Sequence, residues 1–240
     1  MRMVILEKKE RLALITLNRP DKLNALNSEA VNALIKAAEE IEKDDDIRVV
    51  IITGAGGKAF SSGSDLTELQ EITAVELRQR IESPNIIRNL SKPVVAMIQG
   101  YALGGGLELA LACDIRVASE DAKLGFPEIT HGWLPAGGGG TQVLPRLVGE
   151  GMAMKLILTG KFISAAEAKQ IGLVEMVVPA DQLQAETQKL AEDIAEKPVE
   201  ILRLAKEAIK ASVHTNFQSR LNYETALNAI CFAIKREEGK

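Results

Sequence analysis

Aromatic side chains are scarce in this chain: one Trp, two Tyr and five Phe make up 3% of its 240 residues. Stacking on nucleic-acid bases is therefore a poor fit as a binding mode. Positive charge is not in excess either. The formal net charge of −4 gives no general pull toward nucleic acid or an anionic membrane. There are two cysteines, Cys113 and Cys231, far apart and in apolar surroundings. They cannot make a disulfide framework, and they fit a reducing interior. The two histidines, His131 and His214, share no short spacing with either cysteine, so no metal site is expected. No run reaches the roughly 18 apolar residues of a membrane-spanning helix. The opening MRMVILEKKERLALITLNRP is broken by charge too soon to be a signal peptide. The expectation is a soluble cytoplasmic protein, and 46% hydrophobic residues supply one large core or two modest ones.

What is present has an α/β rhythm. Val4–Glu7 and Leu12–Leu17, separated by KKER, predict a hairpin. A loop follows over Asn18–Asn27. Ser28 is the expected cap of a helix with Val31, Leu34, Ile35, Ala38 and Ile41 on one face. Ile47–Thr53, Pro93–Ile98 and Ile115–Ala118 are nearly continuous apolar runs, as in strands buried on both faces. GAGGKAF and FSSGSDL between them predict turns. Leu66–Leu90 predicts a polar helical stretch that varies or moves. Alternation of strand and helix argues for right-handed crossovers in a layered core. From Thr141 the chain is mainly helical, at Gly151–Leu158, Ala165–Gln170 (capped by Ser164), Gln182–Ala195, Pro198–Ala211 and Phe217–Lys235. One short strand, Val174–Val178, interrupts it. A composition shift near residue 180 divides the chain into 1–180 and 181–240.

Three segments carry candidate chemistry. GYALGGGLELALACD, Gly100–Asp114, puts three glycines before an apolar helix with one carboxylate, Glu108. A phosphate loop would need a lysine followed by Ser or Thr; here Leu107 and Glu108 follow, and Glu108 repels phosphate. A dinucleotide loop would need spaced glycines after the first strand. Glycines at a helix start otherwise either allow close packing or expose N–H groups toward a developing negative oxygen. An unpaired buried Glu108 costs several kcal/mol, about the penalty of any such carboxylate. It therefore either pairs with a cation such as Arg116 or serves as an acid–base group with a raised pKa. Glu128, in LGFPEITHGWLPAGGGGTQ, has a similar apolar setting in a Gly- and Pro-rich loop. His131, three residues on, is either a structural hydrogen-bonder or a further acid–base group. Two tuned carboxylates point to water addition or removal, or to proton transfer beside a carbonyl. The third segment, Phe60–Leu66, is a turn around Gly63 that either joins a strand to a helix or offers a second N–H opposite Gly105.

The blocks LNRPDKLNALN, VVIITGAGGKAFSSGSDL, KPVVAMIQGYALGGGLELALACDIRVAS, LGFPEITHGWLPAGGGGTQ and LTGKFISAAEAKQIGLV resemble, in order and spacing, the enoyl-CoA hydratase/isomerase (crotonase) superfamily along nearly the whole chain. The resemblance implies a spiral α/β core of repeated ββα units over 1–180. It also implies a helical C-terminal trimerisation region over 181–240, shorter than in many members, and so a homotrimer or dimer of trimers. It implies an acyl-CoA thioester substrate, with coenzyme A part of the substrate and no separate cofactor or metal. Carried over by position, Glu108 and Glu128 match the two catalytic glutamates, and Ser62 and Gly105 the oxyanion hole. Lys22, Leu23, Ala25, Ser62, Gly63, Ser64, Asp65, Leu66, Gly105 and Pro127 become substrate contacts. Retention of both glutamates favours a 2-enoyl-CoA hydratase, the alternative being a Δ3–Δ2 enoyl-CoA isomerase or another crotonase chemistry. Gln99 and Trp133 depart from the usual pattern, Trp133 near the acyl pocket. Some members bind RNA through a lysine-rich early helix. Here that helix, VNALIKAAEEIEKDDDIR, is acidic and lacks the electrostatic term for phosphate.

Overall fold

The computed structural model describes residues 2–69, 73, 83–213 and 216–238, with side chains through Arg236. Its backbone is a six-stranded sheet: β1 (Val4–Lys9), β2 (Leu12–Leu17), β3 (Val49–Gly54), β5 (Val94–Ile98), β7 (Ile115–Ser119) and β10 (Met176–Val178), in that spatial order. β1 and β2 form the expected hairpin, and every other neighbouring pair is parallel. The three apolar runs are its central strands. Alternate residues face opposite sides: Val50, Ile52, Val94 and Ala96 join the main core, whereas Val49, Ile51, Val95 and Val117 meet a second cluster. That cluster is closed by Leu183, Ala191 and Ala195. Their helix (Leu183–Ala195), the first of the C-terminal helices, is thus packed onto the large sheet.

A second sheet was not legible as strands. β4 (Ala59–Ser61), β6 (Tyr101–Leu103), β8 (Lys123–Gly125) and β9 (Ile163–Ser164) lie in that order. The first three are parallel and β9 is antiparallel. The segments read as turns, GAGGKAF and FSSGSDL, contain β4. Each of β3, β5 and β7 is followed within a few residues by its short partner β4, β6 or β8 and then by a helical segment, giving the repeated ββα path.

The helices follow their apolar faces. α1 (Ser28–Glu42) buries Val31, Leu34, Ala38 and Ile41. Its cap is Asn27 rather than Ser28: the Asn27 side chain accepts from Ala30 N–H at 2.9 Å, satisfying one of the free donors of the first turn. α2 (Gly105–Ala112), α3 (Gly140–Val148), α4 (Glu150–Thr159) and α5 (Ala165–Gln170) follow, the last with Ser164 and Glu167 in a capping box. α6 is the helix Leu183–Ala195 already placed, and α7 (Val199–Ala211) and α8 (Phe217–Glu238) complete the chain. The expected helix over Leu66–Leu90 lies mainly outside the described residues; Leu66–Leu69 and residues 83–89 are helical. Among the described residues no helix is long and apolar enough to cross a membrane.

Candidate active site

The small sheet delivers the site. The three parallel strands β4, β6 and β8 end at one edge and run on into Ser62–Ser64, Gly104–Gly105 and Pro127–Glu128. Beside them lies the loop after β2: Leu26 N–H donates to Gly63 O at 2.7 Å and Asp65 N–H to Leu26 O at 3.0 Å. Lys22, Leu23 and Ala25 are thereby brought alongside Ser62–Leu66.

Glu108 is 2% exposed. Its carboxylate is wrapped by Gly137–Gly140. Gly140 N–H donates to Oε1 at 2.8 Å and Gly137 N–H to Oε2 at 3.0 Å. Burial pushes its pKa above the ordinary value, while the N–H groups of the glycine loop pull the other way. The loop must be glycine because it passes so close. A Cβ at Gly138 would lie 2.7 Å from Glu108 Cβ and 2.8 Å from Pro84 Cγ. Gly138→Ala therefore costs about 1–3 kcal/mol as overpacking, seen as a lower thermal midpoint together with reduced turnover. Gly151→Ala, at a helical glycine facing open space, raises the midpoint instead.

Glu128 opens a 3-10 turn (Pro127–His131) and faces Gly104. That glycine has φ +52°, and a Cβ there would sit 2.9 Å from Glu128 Oε1. Glu128 Oε2 is buried with no hydrogen-bond partner among the described residues. Burial, with the Glu108 charge adding to it against one backbone hydrogen bond, pushes the Glu128 pKa up to about 7. The two carboxyls thus differ in what surrounds them. Glu108 has several N–H donors favouring its ionised form; Glu128 has an oxygen that accepts from no described group.

The oxyanion assignment needs correction. Ser62 N–H is committed: it donates to Leu23 O at 2.9 Å. Gly63 N–H goes to Ser61 Oγ at 3.2 Å and Asp65 N–H to Leu26 O. Of the four N–H groups from Ser62 to Asp65, only that of Ser64 is taken up by no described group, and Gly105 N–H is likewise left. The two lie together, since a Cβ on Gly105 would be 3.6 Å from Ser64 N. The site is thus a pair of N–H groups that no described group takes up, beside the buried carboxyl of Glu108 and the half-buried one of Glu128.

The enoyl-CoA hydratase/isomerase family model matches residues 7–239. The chain belongs to that family. It is 41% identical over 239 residues to the short-chain-enoyl-CoA hydratase of Clostridium acetobutylicum, covering 98% of this chain and 91% of that protein. It is 40% identical over 241 residues to the crotonyl-CoA hydratase of Syntrophomonas wolfei, covering 98% and 92%. A crystal structure of an enoyl-CoA hydratase from Bacillus anthracis superimposes with a TM-score of 0.91 at 39% identity, over 95% of this chain and 90% of that one.

Other residues of this enoyl-CoA hydratase/isomerase family member hold the framework or lie toward the surface. Arg116 does not pair with Glu108. It is 3% exposed, bonds Glu175 Oε1 at 2.6 Å and also donates to Leu173 O and Cys113 O. The Asp65 carboxylate is taken by Arg19 at 2.9 Å and by Thr67 N–H, which pins the loop. Leu66 is 52% exposed and Leu23 37%; Pro127 is half-buried. Trp133 stands 46% exposed and His131 is also exposed, ending the 3-10 turn. Gln99 bridges Thr53 and Gly54 O at the end of β3. Asn24, which the sequence reading passed over, is 1% exposed. Its amide donates to Ala55 O at 3.0 Å and Ala59 O at 2.7 Å and its Oδ1 accepts from Arg19 N–H. Its signal was a polar residue between apolar ones in LNALN, where the chain turns left-handed at Leu23 and Asn24.

Proposed function

We propose that this chain is an enoyl-CoA hydratase, adding water across the C2=C3 bond of a trans-2-enoyl-CoA to give the 3-hydroxyacyl-CoA. The observation that carries the reading is the pairing of unequal carboxyls, Glu108 and Glu128, with the adjacent unclaimed N–H groups of Ser64 and Gly105. Glu108 accepts from backbone N–H groups while Glu128 Oε2 accepts from no described group, and surroundings that differ in this way assign a base and an acid. The thioester carbonyl would accept from both N–H groups. Glu108, held toward its ionised form by the glycine loop, would take a proton from water as the water oxygen bonds to C3. The C2=C3 electrons move onto the thioester oxygen as an enolate, and Glu128 would then give its proton to C2. Each N–H donor is worth about 10²–10³ in rate at such a centre. Water and the acyl-CoA suffice as reactants, so the proposed step needs no metal or further cofactor.

The exposed apolar side chains Phe217, Leu221, Ile230 and Phe232 along α8 support a homotrimer or a dimer of trimers. The two free cysteines, Cys113 buried and Cys231 half-buried, suit a cytoplasmic setting. Activity is tested by adding crotonyl-CoA and longer trans-2-enoyl-CoAs and following the conjugated-thioester absorbance. Loss of absorbance with at least one chain length is expected; none with any would reject the reading.

A further inference from the structure

The loop that holds Glu108 is itself held from behind. On the helical segment 83–89, Arg88 directs one guanidinium nitrogen, Nη2, to Gly138 O at 2.6 Å, while Nη1 bonds Asn85 Oδ1 at 2.8 Å. Gly138 lies between Gly137 and Gly140, whose N–H groups bind the Glu108 carboxylate. A trans peptide sets its C=O and N–H on opposite sides. Fixing the Gly138 carbonyl outward therefore aims the Gly139 N–H inward, toward the carboxylate it helps to stabilise. Pro84, on the same segment, packs against Gly138. Behind Arg88 the support continues. Lys210 of α7 donates to the Arg88 backbone carbonyl and pairs with Asp114 at 3.4 Å, which also holds Lys206 at 2.6 Å.

We propose that Arg88 is a positioning residue for hydration, tying the Gly137–Gly140 loop so that its N–H groups stay on Glu108. This rests on the reading of Glu108 as the group that activates water. Arg88 does not touch the reacting atoms; it acts through Gly138 O. The charged groups bearing on Glu108 are Arg88 and Glu128. Those sharing the far side of Arg88 are Arg203, Lys206, Glu207, Lys210 and Arg220. The Cys113 thiol also faces Arg88, but burial pushes it up to about 12, so it stays neutral through the working range. With the loop untied, Glu108 loses N–H donors, its pKa rises, and the acid limb of kcat/KM moves to higher pH.

The test compares Arg88→Met, Arg88→Lys and Asn85→Ala with the full-length wild type on a trans-2-enoyl-CoA that it hydrates. Arg88→Met is expected to lower kcat about 10- to 100-fold, the scale of a displaced catalytic group, with KM little changed and the acid limb shifted upward. Arg88→Lys, which keeps one donor, recovers part of both. Asn85→Ala, at an exposed position that only steadies the guanidinium, gives a smaller shift in the same direction and serves if Arg88→Met fails to fold. In a Glu108→Gln background Arg88→Met adds no further loss. A lowered thermal midpoint with kcat and the acid limb unmoved would make Arg88 merely structural and overturn the proposal, as would full additivity with Glu108→Gln. Undiminished hydration by Glu108→Gln alone would instead remove the Glu108 reading, a different failure.

Discussion

Replacing Glu108 with Gln lowers hydration turnover by about 10²–10⁴-fold, the usual worth of a positioned general base, with little change in KM. An amide keeps the shape, and one of its ends can still accept from Gly140 N–H. Its other end is an NH₂ group facing Gly137 N–H, a donor against a donor where the carboxylate oxygen accepts at 3.0 Å. More important, the amide cannot take a proton from water. The same variant separates the two family chemistries. Shifting a double bond from Δ3 to Δ2 needs one group to move a proton between carbons, and on the proposed reading Glu128 would do so. If Glu108→Gln hydrates at the wild-type rate, the base assignment fails. If it never hydrated but retains isomerisation, the chain is an isomerase. Stopped assays with trans-2- and Δ3-enoyl-CoAs read both outcomes.

Glu128→Gln is the second large effect, again about 10²–10⁴-fold in hydration, and its pH signature is distinctive. In the proposed step the proton for C2 comes from Glu128, which holds it only below its pKa, pushed up to about 7 by burial and the Glu108 charge. Hydration kcat/KM therefore falls on the alkaline side with an apparent pKa near that value, and the residual rate of the variant lacks this limb. Stability also falls as pH rises, though over a lower window. Glu128 titrates higher in the fold than at the ordinary 4.5, so the native state is favoured while the group is protonated. That advantage is lost progressively as pH rises from about 4.5 to about 7. Gln carries no such penalty, so the variant melts higher than wild type at pH 8 and equally at pH 4. A wild-type profile flat above neutrality, or a variant no more stable at pH 8, would count against a protonated Glu128.

Much of this was legible in the sequence because burial leaves a pattern. VVIITG and PVVAMI announce strands covered on both faces, and Glu108 stands out as a single charge in GGLELALA. Both carboxyls of the site were therefore visible. The small sheet was not. Its strands are two or three residues long, too short for a period of two to register, and they lie among glycines and serines that otherwise read as turns. The register around Gly63 was invisible for a related reason. Ser62 and Ser64 flank it symmetrically in the sequence, and only the pairing of Leu26 with Ser64 decides which N–H is spent and which is left. Nor does Gly137–Gly140 look like a carboxylate clamp. Its glycines belong to a Gly- and Pro-rich loop, and the residue they wrap lies about thirty positions earlier. Asn24 and Arg88 work through backbone carbonyls, which any donor side chain can satisfy, so neither composition nor spacing singles them out.

The small sheet has a further consequence. Parallel strands repeat at about 4.8 Å, a distance fixed by the backbone hydrogen bond and indifferent to side chains. Because β4, β6 and β8 are adjacent and parallel, the segments bearing Ser64, Gly105 and Glu128 leave the sheet one and two of these intervals apart. The sheet is a ruler. Substitutions within the three strands alter what surrounds the site but not its graduations, and the chemistry is free to change at the loops while the spacing between them is kept.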